Sequence, residues 1–385
     1  FELPWRQAHL QVGDRVRLAG SASMADCIIT SIEDGATRRI AARALPQHVR
    51  YPNLARLPVP PDGGKSAVRG KPCFQLLDLP LWPGAENPAD QFRLAACARP
   101  WSGVSAFASP ESSGFEPRAT LADHAVMGEL GAPLPGGPSG RLLPGQALEI
   151  ALYRGELRSA SLAQVLNGAN SALLGTADGS WEILQFLNAE ETASNLWRLT
   201  GLLRGQCGTD PEASEARTEG TPFILLDEAV APAGLKAQEA GLSLNWRIGT
   251  SGEDFSDQFF STVERIGGLR ARLPLAPVHL RATLASDGGL HVGWTRRGRI
   301  DADSWLAPDI PLGEEREAYR VEIRSGNALV RTAEVTQPAW IYDAASRLAD
   351  LGGTTAPFDI AVAMISATVG AGAPVRRKLE PDIFS

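Results

Sequence analysis

Apolar positions in this chain recur in short alternating runs, and almost every run is closed by glycine, proline or an Asp-Gly pair. Near the start, Val16 and Leu18 alternate with Arg15 and Arg17 after a Gly13-Asp14 turn. Ile29 and Ile32 lead into Asp34-Gly35, beyond which Ile40 and Ala42 alternate with Arg39 and Arg43. A period of two sorts side chains onto the two faces of a pleated strand, and Asp-Gly between two such runs signals a hairpin. Three or four strands in a small barrel or sheet are therefore expected here. The same texture predicts strands over 74–79, 92–98, 103–108, 147–152, 171–174, 181–187, 196–202, 223–226 and 242–248. In the run from Trp181 to Phe186, Trp181, Ile183 and Gln185 share one face and Glu182, Leu184 and Phe186 the other. Apolar groups on both faces predict a strand buried on both sides. Leu162, Val165 and Leu166 make a sparse helical stripe, so one short helix is expected over 161–167.

The clearest pattern lies in the last third. Strands are predicted over 278–284 and 290–295, split by Asp287-Gly288-Gly289, then over 319–324, 329–335, 340–342 and 358–365. About seven short strands in about a hundred residues is a β-sandwich, with Trp294 pointing into its core. Residues 344–351 read as a helical turn where such a fold usually has a strand-to-strand corner. Residues 211–222 are polar and acidic and are expected as an exposed loop, and 249–257 as a turn-rich one.

Composition narrows the class. A length of 385 residues exceeds one compact core, and 39 glycines with 28 prolines fit a mainly β, multi-domain chain. A net charge of −7 opposes a nucleic-acid surface, which needs a positive field; Arg296-Arg297-x-Arg299 and Arg376-Arg377-Lys378 are short solvated patches on this reading. No run approaches the ~20 apolar residues of a membrane helix. Cys27, Cys73, Cys97 and Cys207 are scattered without a C-x-x-C pair and are expected as reduced, mostly buried thiols, as befits assembly in a reducing cytoplasm. The chain opens Phe1-Glu2-Leu3-Pro4, which is expected of a piece of a longer polypeptide.

Candidate chemistry mostly dissolves on inspection. Gly64-Lys65-Ser66 lacks the glycine a phosphate loop needs five residues earlier, where Val59 stands. Gly137-Pro138-Ser139-Gly140 lacks the closing glycine of a nucleophile elbow, since Arg141 follows. The five histidines (His9, His48, His124, His279, His291) make no zinc-binding pair, although His279 and His291 fall on neighbouring predicted strands. Asp301-x-Asp303 would need an oxygen ligand at 305 and glycine at 306 for a calcium loop, and Trp305 and Leu306 sit there. Asp301, Asp303 and Glu314 read better as ion-pair partners of Arg296, Arg297 and Arg299. No catalytic residue, cofactor or metal site is nominated, and the chain is expected not to be an enzyme. Trp181, Trp294 and Trp340 fall inside strand patterns and are expected in cores. Trp82, Trp101 and Trp305 lie in loops beside Pro or Gly and are the candidate interface or glycan-contact residues.

Four strings point to one family. They are G-D-x-V-x-L with the I-E-D-G hairpin, Leu202-Leu203-Arg204-Gly205-x-x-Gly208-Thr209, Trp294-x-Arg296-Arg297-x-Arg299-Ile300-Asp301-x-Asp303-Ser304-Trp305 with Pro311-Leu312-Gly313-Glu314, and the closing sandwich. In this order they resemble the C-terminal portion of the large tail baseplate hub ("megatron", host specificity) proteins of gene transfer agents and siphophages. The N-terminal portion of that family can carry a glycoside-hydrolase-like barrel, and nothing in this chain matches one. The sandwich itself looks like a fibronectin type III domain. The resemblance implies a hub-type β segment over 1–60, a linker over 61–72, a central β-rich region over 73–272, the sandwich over 273–375 and a tail over 376–385. It further implies a structural role closing the tail tube, expected homotrimeric, with other tail and baseplate proteins as partners. Host-envelope contact and DNA passage follow from that role, without direct DNA binding being indicated. The alternative of a different class is a carbohydrate-binding accessory module facing cell-surface polysaccharide.

Overall fold

The computed structural model describes residues 1–7, 9–19, 24–44, 71–255, 258–300, 309–352 and 357–380. Trp305, the Asp301/Asp303 pair, most of the expected linker and the last five residues of the expected tail lie outside these. The chain is mostly β and divides into two compact units, Phe1–Val68 and Arg69–Ser385.

The first unit is a four-stranded antiparallel sheet. Strands β1 (Glu2–Leu3), β2 (Arg15–Ala19), β3 (Met24–Asp34) and β4 (Arg38–Ala44) lie in the order β1-β4-β3-β2. The hairpin expected at Asp34-Gly35 joins β3 to β4, where Asp34 stands opposite Arg38 and accepts from its Nε at 2.7 Å. Cys27, Ile29 and Ile40 supply the buried face.

The second unit begins with β5 (Cys73–Asp78), β6 (Phe92–Cys97), β7 (Val104–Ser109) and β8 (Glu116–Leu121). A barrel follows, built from β9 (Met127–Leu130), β10 (Leu142–Arg154), β11 (Ser171–Gly175), β12 (Trp181–Ala193), β13 (Leu196–Leu203) and β14 (Pro222–Leu225). Its antiparallel order is β10-β13-β12-β11-β14-β9, closed by β9 pairing back onto β10. Helix α1 (Leu162–Leu166) is the short helix expected from the sequence, started by Ser161 and Gln164 in a capping box. Short β15 (Ala231–Pro232) pairs with β6, and β16 (Ser243–Thr250) with β17 (Ser261–Ile266) completes a second sheet in the order β17-β16-β7-β8.

Alternation explains how these layers stack. On β6, Phe92, Leu94 and Ala96 pack against Val104, Ala106, Trp246 and Ile248 of the four-stranded sheet. The intervening Ala95 and Cys97 pack with Met127, Leu173, Trp181, Ile183 and Ile224 of the barrel. Strand β12 repeats the device, since Trp181 and Ile183 face that cluster while Leu184 and Phe186 fill the barrel lumen. Both faces are buried, as its sequence predicts.

The expected exposed loop over 211–222 is corrected. Asp210–Ser214 forms a helical turn, α2, in which Glu212 and Ala213 are buried, and Leu134 bridges Arg217, which is buried too. Charged residues here are drawn inward because each finds a partner.

The sandwich comprises β18 (Val278–Leu284), β19 (Leu290–Thr295), β20 (Tyr319–Ser325), β21 (Ala328–Val335), β22 (Ala339–Tyr342), β23 (Phe358–Ser366), β24 (Gly370–Ala371) and β25 (Val375–Leu379). One sheet runs β18-β19-β22; the other runs β21-β20-β23, with β25 and β24 also paired to β23. Trp294 is buried edge-on to Tyr319, with ring centroids 5.1 Å apart. The corner helix is α3 (Ala344–Leu351), capped by Asp343, which accepts from Ser346 N at 2.8 Å. Residues 376–379, expected within a tail, are strand β25, with buried Leu379 opposite Phe358. His291 stands opposite Thr283 while Val278 stands opposite Thr295, so the two histidines sit at different ends of the β18–β19 pairing.

Candidate functional site

The most constrained chemistry in the molecule lies at one end of the barrel. Glu182 is flanked in β12 by Trp181 and Ile183 and shares the lumen face with Leu184 and Phe186, so its carboxylate has no route to solvent and is fully buried. A buried carboxylate without partners costs several kcal/mol, roughly. Arg204, which follows β13, is equally buried and meets it as a fork, Nε to Oε1 at 2.8 Å and Nη2 to Oε2 at 2.6 Å. Its remaining nitrogen, Nη1, donates to the Pro135 carbonyl at 2.8 Å. A planar guanidinium fits this task because its five donors are fixed in one plane. Arg217 brings a second guanidinium within 4.0 Å of Glu182 and donates to the Glu212 and Glu215 carbonyls.

The glycine-rich turn after Arg204 carries the network outward. Gly205 and Gly208 hold positive φ of 65° and 82°, and a Cβ on Gly205 would stand 2.6 Å from the Ser139 Cβ. The turn ends at buried Thr209, whose Oγ1 accepts from Ile183 N at 3.0 Å and donates to the Gln206 carbonyl at 2.8 Å. Asp210 then accepts from Ser139 Oγ at 2.6 Å and from Arg297, in the segment after β19, at 2.8 Å. Glu212 pairs with Arg270 at 2.7 Å. Two acidic residues of α2, Asp210 and Glu212, thus grip cations from both regions that follow the barrel. Arg204 is thus anchored outside its own turn, on Pro135 and Glu182.

Burial pushes the Asp210 carboxyl up, but the hydrogen bonds from Arg297 and Ser139 outweigh it and hold the group below the usual carboxylate range. Burial also raises Glu212, against the attraction of Arg270. A depressed folded-state pKa stabilises the fold above the unfolded value near 4 and loses that contribution as pH falls through the folded value. Arg297→Ala is therefore expected to cost about 1 kcal/mol at neutral pH. The deficit should shrink as pH falls below the unfolded carboxylate value near 4, as Asp210 takes up its proton in the parent as well. Denaturant titrations of both proteins across that range check this; a deficit independent of pH would remove Asp210 from the account.

Trp101 and Trp82, the two described tryptophans of the three singled out by sequence, do not join this junction. Trp101 is half-buried against the cluster around Trp246, donates its Nε1 to the Ala122 carbonyl at 2.7 Å and lies edge-on to His124. Trp82 is half-buried against the other cluster, with Leu77 and Trp181. Of the expected ion pairs, Arg299–Glu314 forms at 3.0 Å between two largely buried groups. Arg297 turns instead to Asp210, and Arg296 to Asp309 at 3.5 Å with the Ile310 and Pro311 carbonyls. The junction's signal in the sequence was a pair of anomalies: one acidic residue inside W-E-I-L-Q-F and one basic residue ending L-T-G-L-L-R.

Residues 125–224, about a quarter of the chain, match the sequence profile of a family described as Rcc01698-like, C-terminal, which is seen in gene transfer agent proteins. That span runs from just before β9 to the penultimate residue of β14, so it coincides with the closed barrel and contains Glu182, Arg204, Asp210 and Arg217. No curated protein matches the chain. Among solved structures it is similar to domains d3–d4 of the rat CD45 extracellular region, at 13% identity over 40% of this chain and 71% of that one, with a TM-score of 0.21. It is also similar to the FN1–FN3 domains of chicken CNTN1, at 10% identity over 81% and 97%, with a TM-score of 0.19. Scores this low have no bearing on fold or role; the sandwich assignment rests on its strand order.

Proposed function

We propose that this chain is a structural component of a phage-like tail baseplate, in a gene transfer agent or a related siphophage. In this role three copies form a ring that closes the tail tube, contact neighbouring tail and baseplate proteins, and contribute to host-envelope contact and DNA delivery. The particle is assembled in the bacterial cytoplasm and carries the protein at its tail tip. One observation carries the reading: a family seen in gene transfer agent proteins matches one complete barrel, strand for strand. The junction suits such a part. Its charges are spent on fixing the barrel to the segments after it, which favours a rigid piece that keeps its shape under load.

The test is imaging of intact particles that carry the tagged chain. Threefold density at the baseplate into which the barrel and sandwich fit is the expected result. Six copies, a single copy or absence from the tail would overturn it. The carbohydrate-binding alternative is separated by Trp101→Ala: loss of glycan affinity with particle assembly intact favours that alternative, and loss of assembly favours the baseplate.

A further inference from the structure

Cys73 and Cys97 are far apart in sequence but directly opposite each other on antiparallel β5 and β6. Opposed residues of such a pair project to the same face with Cα atoms roughly 4.5–5.5 Å apart, inside the ~4.4–6.8 Å window of a disulfide. Cys73 is exposed and Cys97 buried, both as free thiols. Both line one open cavity of about 630 Å³ together with Lys71, Arg99, Tyr153 and Arg154. Among the described residues none of the three cations has a carboxylate partner. Two acidic groups among the described residues are tied to this wall: Glu129, which accepts from the Tyr153 hydroxyl at 3.4 Å, and Glu191, which accepts from the backbone N–H of the lining residue Asn195 at 3.0 Å. The volume suits a small organic molecule, and the wall favours a negatively charged one.

We propose that Cys73 and Cys97 form a thiol–disulfide exchange site for anionic low-molecular-weight disulfides, with Cys73 attacking first and Cys97 resolving. The buried thiol donates a hydrogen bond to its neighbour, which draws Cys73 down to about 7 and pushes Cys97 up. The exposed sulfur is thereby the better nucleophile near neutral pH. The Cys73 thiolate attacks one sulfur of the small disulfide, whose S–S bond breaks, and the departing thiolate takes up the proton Cys73 gave to solvent. Cys97 then loses its proton and attacks the Cys73 sulfur, expelling the second small thiolate, which is protonated in turn. Two protein thiols are oxidised to one disulfide and one small disulfide is reduced to two thiols. The product tethers the first residue of β5, where the chain enters the second unit's sheets, to β6, which is gripped on both faces. In a particle assembled under reducing conditions and then released, this bond would close only after assembly.

The reduced full chain is treated with glutathione disulfide, which is anionic, and separately with neutral 2-hydroxyethyl disulfide, and followed by intact mass and peptide mapping. The expected product of the wild type has lost two hydrogens and links the Cys73 and Cys97 peptides, with Cys27 and Cys207 still thiols. Cys97→Ser should trap a glutathione adduct on Cys73, and Cys73→Ser should leave Cys97 unmodified. The double variant Arg99→Ala/Arg154→Ala should slow the glutathione reaction about tenfold and leave the neutral one unchanged. Should Cys97→Ser fold poorly, limited alkylation of the wild type replaces it, with Cys73 expected to be capped first and oxidation abolished. First modification at Cys97, equal reactivity of Cys27 and Cys207, or equal sensitivity of both disulfides to the arginine changes would overturn the proposal.

Discussion

Arg204→Ala should lower the unfolding free energy by roughly 3–5 kcal/mol, because it strips the Glu182 carboxylate of its only forked partner while leaving the charge fully buried. Coulomb attraction in so dry a site is strong, but most of the loss comes from the desolvation of a carboxylate that no longer has donors. Arg217 offers incomplete relief. Its nearest nitrogen is 4.0 Å from Glu182 and its donors serve the Glu212 and Glu215 carbonyls. The same reasoning fixes the control. In Glu182→Met/Arg204→Met both charges leave together, and apolar groups of similar length meet the lumen residues Leu184 and Phe186. That double variant is expected to recover most of the loss. Urea titrations followed through tryptophan fluorescence measure all three proteins. A single variant within about 1 kcal/mol of the parent would mean that water enters the lumen and the junction is not dry.

A second large effect is expected from one methyl group. Gly128 lies in β9, opposite Leu152 on β10 and Phe223 on β14, so it sits at the seam that closes the barrel. A Cβ there would stand 2.3 Å from the Ala151 carbonyl oxygen and 2.9 Å from the Leu152 Cα. Both atoms are backbone, and both neighbouring strands are held by their own ladders, so no side chain can swing aside. Gly128→Ala is expected to cost about 3 kcal/mol, the upper part of the usual range for overpacking. Gly145→Ala in β10 is the matched control, because its Cβ would meet no atom within 4 Å. It should change stability by no more than about 0.5 kcal/mol. Equal melting temperatures for the two variants would show that the seam is looser than its geometry.

The strands that could be read from the sequence share a physical character. Those over 278–284 and 290–295 have the bounds the alternation predicts, because each carries one apolar stripe to one core, and the corner helix over 344–351 also has its expected bounds although none of its residues is fully buried. Besides β25 and the two-residue strands β1, β15 and β24, three strands escaped notice. Glu116–Leu121 contains a proline and is mostly polar, Met127–Leu130 is only four residues long, and Ser261–Ile266 exposes most of its side chains. Each is stabilised by pairing with a neighbour, and pairing leaves no trace in local periodicity. The junction was half legible. Glu182 and Arg204 stand out as charges in apolar runs, but nothing local says that they meet, nor that Arg297 prefers Asp210 to the acidic residues of its own crossover. The Cys73–Cys97 pairing was invisible for the same reason: register, not spacing, brings the two thiols together.

Because β9 pairs back onto β10, every barrel strand has a neighbour on each side, although β12 beyond Gln185 pairs with β13 alone. The closed part of that layer offers no template on which another chain could lay down a further strand, which is the usual route to fibres and runaway stacking. Any chain that docks on the closed part of the barrel would have to do so through side-chain complementarity rather than by adding a strand.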